Sequence, residues 1–122
     1  MDIKTRLTRY SALHQEVLLI CDRLSGAGQA NLIADSTELD ELEQKASVHL
    51  DEMETLRALI RMLPDIREQE VLTVRYVNAV NGKPTKWKVV AQKMLGGVAD
   101  RHLQMVFRLH RSALEHLVGA AE

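Results

Sequence analysis

Leu39, Leu42, Ala46, His49, Met53, Leu56, Ile60 and Leu63 follow one another at strictly alternating steps of three and four residues. Such steps return to one side of an α-helix, whereas a strand returns every second residue, so the stretch is compatible only with a helix. The pattern lasts about three and a half heptads, with Glu43, Lys45, Glu52 and Arg57 as charged margins of a coiled-coil type. At about 1.5 Å per residue it predicts a rod about 40 Å long, more than a domain of this size needs for its own core. The stripe must therefore meet another helix, in the same chain, in a second copy, or in both.

A partner lies upstream. Ile3, Leu7, Tyr10, Leu13, Val17, Ile20 and Leu24 repeat at three and four, and Ser25-Gly26 with Gly28 is expected to stop that helix. Residues 25–36 then connect the two, with Asn31-Leu32-Ile33 available to pack over the end and Asp35, Ser36 and Thr37 offering caps for the second helix. Aromatic residues make up only 3% of the chain, so its core must come from Leu, Val, Ile, Ala and Met. Met53, Met62 and Met94 are read as packing of this kind.

Pro64 interrupts the ladder and Asp65 opens a further helix, expected to run to about Val77 before a turn around Asn81-Gly82. Residues 84–117 then read as two helices led by Thr85 and Asp100 and joined by a glycine-marked turn. In the second helix Leu103, Val106, His110, Ala113, Leu114 and Leu117 fall on one side, while Arg101, Gln104, Met105, Arg108 and Arg111 fall on the other. A face that only had to stay soluble would mix Glu with Lys. This one has no acid until Glu115, and its side chains are those that reach guanine, adenine and phosphate in a major groove.

The charge distribution agrees. Between Lys83 and Arg111 seven basic residues stand against Asp100 alone, a local charge of +6, while residues 1–63 carry seven basic and eleven acidic residues, or −4. The formal net charge of −1 thus joins an acidic end to a basic one that a phosphate backbone would attract.

Leu63-Pro64-Asp65, Glu70-Val71-Leu72 with Arg75-Tyr76, Trp87 three residues before Val90-Ala91, and Arg108-Leu109-His110 with Ala113-Leu114 occur in an order that resembles the sigma-70 region 4 type of helix-turn-helix, in particular the small sigma-like regulators of phages and prophages. The resemblance covers about half the chain. It implies a three-helix DNA-binding domain over residues 64–122, transcription control on double-stranded DNA, and contact with bacterial RNA polymerase. One departure is the spacing: nine residues, GVADRHLQM, separate Gly96 from Val106 where the family has about five. Either the turn is longer, or the reading helix starts about one turn earlier with Asp100 as its cap.

The expected architecture is all-α: a helical hairpin or coiled coil over residues 1–63, joining copies into a homo-oligomer through residues 3–63, then the helix-turn-helix domain. Arg101, Gln104, Met105 and Arg108 are the base-reading candidates; Thr85, Lys86, Lys88 and Arg111 are the phosphate candidates. Trp87, Val90, Leu95, Val106, Leu109, Ala113 and Leu114 are expected in the helix-turn-helix core. His14 and His49 lie in the two apolar stripes and could approach each other in an antiparallel hairpin, where a hydrogen-bonded histidine that fixes register is expected and no metal is. Cys21, the only cysteine, reads as inert packing. No phosphate-cradling loop or nucleophile elbow occurs, so no enzyme and no cofactor are expected. No apolar run is long enough to span a bilayer and MDIKTRLTRY lacks a signal-like segment, so a cytoplasmic protein is expected. Two other readings stay open: a phage DNA-packaging adaptor that assembles a ring, and a coiled-coil assembly protein without DNA binding.

Overall fold

The computed structural model describes residues 2–29 and 36–121, which are all-helical apart from their connections. The order is α1 (Ile3–Thr8), α2 (Tyr10–Gln29), α3 (Ser36–Arg61), α4 (Ile66–Leu72) continuing into a π-helical turn (Thr73–Val77), α5 (Trp87–Leu95) and α6 (Asp100–Ala121). No helix among the described residues is long and apolar enough to cross a membrane.

Asp2 caps α1 by accepting the Thr5 N–H at 2.7 Å, a bond that also holds its carboxyl below the usual range. A single residue, Arg9, separates α1 from α2, and the backbone ladder crosses it through Arg9 N–H to Thr5 O and Leu13 N–H to Arg9 O. α2 and α3 pair antiparallel, as the contacts between them require: Glu16 meets His49 at 2.6 Å and Arg23 reaches Glu38, while Arg6 of α1 reaches Glu52 at 2.6 Å. Inside the hairpin the two apolar stripes meet, and Leu13, Val17, Ile20, Ala46 and Met53 are buried.

The lower end of the hairpin does more than pair with itself. One continuous buried cluster runs from Ile3, Leu7 and Tyr10 through Leu56, Ile60 and Leu63 to Val71, Leu72, Tyr76, Val90, Val106, Ala113 and Leu117. α1 and the last turns of α3 are thus the wall against which α6 and the π-turn pack. Polar contacts fasten the same junction. Ser11 Oγ donates to the Ala79 carbonyl at 3.2 Å, and the Gln15 amide oxygen, oriented to satisfy both donors, accepts from the Asn81 and Gly82 N–H groups at 3.2 Å. Asn81 and Gly82 carry φ of 64° and 75°, the left-handed pair that lets the chain reverse where the Asn-Gly sequence predicted a turn.

Several local expectations need correction. The first helix does not stop at Ser25-Gly26 but runs to Gln29, because glycine costs an established helix only about 1 kcal/mol and does not break its ladder. The contacts expected of Asn31-Leu32-Ile33 and the cap expected of Asp35 lie outside the described residues. Cys21 is exposed, one step past the buried Ile20 and therefore turned off the stripe. Met53 and Met94 pack as expected, but Met62 is 68% exposed, since Leu63 takes the inward position where α3 unwinds. His14 is exposed beside the loop at Asn78–Asn81 and does not approach His49, which instead meets Glu16 across the hairpin at 2.6 Å.

Candidate nucleic-acid interface

The geometry of α6 is set at its first turn. Gly96 ends α5 in the left-handed region (φ 74°), with its N–H bonded to Gln92 O at 3.0 Å. After Gly97 and Val98, the Ala99 carbonyl accepts the first α6 donors, His102 N–H at 2.9 Å and Leu103 N–H at 3.1 Å. His102 Nδ1 in turn accepts the Ala99 N–H at 3.2 Å, so the cap is reciprocal, as in a capping box, with imidazole in the usual place of Glu. The helix therefore starts early, as one of the two expected frames had it, but Asp100 stands inside its first turn rather than capping it. There its charge favours the positive end of the helix dipole. Thr85 is likewise not the cap of α5, which begins at Trp87 without a side-chain cap. The Thr85 backbone is instead tied both ways to Arg75, whose carbonyl accepts its N–H at 2.8 Å and whose guanidinium donates to its carbonyl.

A β-carbon on Gly97 would lie 2.5 Å from His102 Cε1 and 2.8 Å from Nδ1. Gly97→Ala is therefore expected to push the imidazole off Ala99 and to destabilise the protein by about 1 kcal/mol, the value of a lost cap. The check is urea unfolding of this variant beside Gly119→Ala, which meets nothing within 4 Å and should not lose stability.

Three sides of α6 are held. Val106, His110, Ala113 and Leu117 point into the core. Toward α4, Ser112 Oγ donates to Glu68 Oε2 at 3.2 Å and His116 Nδ1 lies 2.6 Å from Glu68 Oε1, so the buried carboxylate has two partners on α6. Toward α5, Trp87 meets Phe107 edge-on (centroids 5.1 Å, 84°) and His110 likewise (4.8 Å, 79°), while the Arg75 guanidinium lies over the indole at 4.2 Å. The Tyr76 hydroxyl is 2.7 Å from His110 Nε2, and Arg75 and Tyr76 both belong to the π-turn.

His110 titrates far from its usual range. Burial, then the charges of Arg75 and Lys4, lower its pKa to about 4, so at neutral pH the ring is neutral and shares one hydrogen bond with the Tyr76 hydroxyl. Burial also pushes the Tyr76 phenol up. As pH falls from about 6.5 toward about 4, the unfolded chain takes a proton at His110 that the folded chain refuses, so stability should fall over that window. His116 has the opposite sign: its bond to Glu68 raises its pKa, so its contribution is complete below the unfolded value and fades as pH rises through the folded one. His110→Gln keeps a neutral hydrogen-bonding group for Tyr76 and removes the titration. Its urea midpoint is expected to depend less on pH between 6.5 and 4 than the parent's, and equal slopes would remove this role from His110.

The fourth side of α6 is open. Arg101, Gln104, Met105, Arg108 and Arg111 are all exposed, and none of them hydrogen-bonds or pairs within the described residues. α5, packed beside α6, adds exposed Lys88 and Lys93, and the segment before it adds Lys83 and Lys86. The hairpin acids Glu16, Glu38 and Glu52 face His49, Arg23 and Arg6 and not the α6 arginines. Thr85 is half-buried beside this surface. Of the expected core residues, Val90, Val106 and Ala113 are fully buried, and Trp87, Leu95, Leu109 and Leu114 pack half-buried against them. Arg75, His102, Phe107 and the Glu68–His116 pair were not anticipated. Only Glu68 left a trace in the sequence, as an acid on the inward side of a short helix.

Among the described residues no three His, Cys, Asp or Glu side chains gather as a metal site would require. No protein-family model, curated protein or solved structure matches the chain.

Proposed function

We propose that the chain is a sequence-specific double-stranded DNA-binding transcription regulator of the sigma-like helix-turn-helix type, with α5 and α6 as its two helices, and that it works by binding and not by catalysis. The observation that carries this reading is the open side of α6, where three guanidinium groups and an amide stand exposed without partners while the other three sides are fixed. Charges held off the protein's own acids remain available to phosphates, and a rigid backing is what a reading head needs. Lys86, Lys88 and Arg111 fit phosphate contacts, with Thr85 beside them. The hairpin would join copies into a homo-oligomer and so present two heads to one site. The resemblance carries with it a phage or prophage source, a cytoplasmic setting and contact with RNA polymerase.

Binding to a random duplex, followed by fluorescence anisotropy across a salt series, tests the reading. With three to five phosphate contacts, from Lys86, Lys88 and Arg111 and from the exposed Lys83 and Lys93 beside them, the logarithmic salt slope should be about −3 to −4.5. A flat salt dependence, or no binding at low salt, would favour a coiled-coil assembly protein. A ring of many copies that binds DNA would favour the packaging adaptor.

A further inference from the structure

Resting on the DNA-binding reading above, we infer that the element read by α6 is a short purine tract in which two guanines, at most about three base-pair steps apart, flank an adenine whose paired thymine is also read. Arg101 and Arg108 are two turns apart, about 10 Å along a helix rising about 1.5 Å per residue, and base pairs are stacked at about 3.4 Å. Gln104 lies between them, and at about 100° per residue all three fall within an arc of about 60°. They therefore face one strip of the groove. Arginine matches the paired acceptors of guanine, and glutamine matches the donor and acceptor of adenine.

Met105 supplies the other strand. It is 37% exposed and next to Gln104, but one step of the helix turns it to the opposite flank of the strip. An adenine under Gln104 puts the C5-methyl of its thymine on that flank, where a thioether side chain meets it with apolar surface. Beyond Arg111 the same side of α6 carries Glu115, exposed and negative, which would repel the backbone. The footprint therefore ends there, and beyond it Leu117 enters the core and His116 meets Glu68.

Selection of bound duplexes from a random pool, repeated with Arg101→Ala, Arg108→Ala and Met105→Ala, tests this. The parent should enrich guanine, adenine and guanine within about four base pairs, and each arginine variant should relax one guanine by about 5- to 100-fold. Replacing the paired thymine by deoxyuridine, which lacks only the methyl, should weaken the parent several-fold and leave Met105→Ala unaffected. Steeply salt-dependent binding with no enriched element, or an enriched element indifferent to the arginine variants, would overturn this inference while leaving DNA binding intact. Absence of any duplex binding at low salt would overturn both.

Discussion

Replacing Leu7 with alanine is expected to destabilise the whole protein by about 2–5 kcal/mol, the range for emptying a fully buried leucine site. Leu7 is 0% exposed and belongs to the cluster that continues through Leu56 and Tyr76 to Val106 and Leu117. The effect should therefore reach beyond α1. In urea, helix content by circular dichroism and the emission of Trp87, the only tryptophan, should shift together to a lower midpoint. A hairpin that melts early while the Trp87 transition stays in place would show that the two ends fold separately. Leu19→Ala provides the contrast, because Leu19 is 68% exposed and its loss should change stability by no more than about 0.5 kcal/mol.

The second large effect concerns DNA. On the element selected by the parent, Arg101→Ala and Arg108→Ala should each weaken binding by about 1–3 kcal/mol, and together by nearly the sum, because sites about 10 Å apart with no shared partner act independently. Both side chains are solvent-exposed and unpaired, so neither loss should lower thermal stability. Lys88→Ala should instead weaken all duplexes alike and make the salt slope shallower by about one unit. Titrations of the four proteins against matched and scrambled duplexes separate these cases. Arginine variants that bind the selected element as tightly as the parent would displace the reading face from α6.

Much of the architecture was legible in the order of residues. The strict three-and-four spacing from Leu39 to Leu63 could belong only to a helix, and the stripe from Ile3 to Leu24 supplied its partner. Asn81-Gly82 marked a reversal because few other dipeptides tolerate two consecutive positive φ values. What could not be read was set by tertiary contacts. Nothing in the local sequence says that Arg75 will lie over Trp87, since that contact needs the π-turn and α5 to be brought together across the turn at Asn81-Gly82. The cap of α6 was assigned to Asp100 on propensity, but His102, held against Gly97, supplies the bond. Helical spacing points Met62 inward and an apolar run points Cys21 inward, yet each lies one helical step off the buried line. The exposed side of α6 was legible as a pattern of residue types. That its guanidinium groups would be unpaired depended on where the hairpin acids found partners.

The most direct examination of the central claim is to map a bound duplex onto the chain by following backbone amide shifts as DNA is added to labelled protein. The account predicts that the largest changes fall on residues 101–111 of α6 and residues 83–93 around α5, with α3 between residues 38 and 54 nearly silent. Changes concentrated on α3, or spread evenly over the surface with no preference for the α6 arginines, would contradict it.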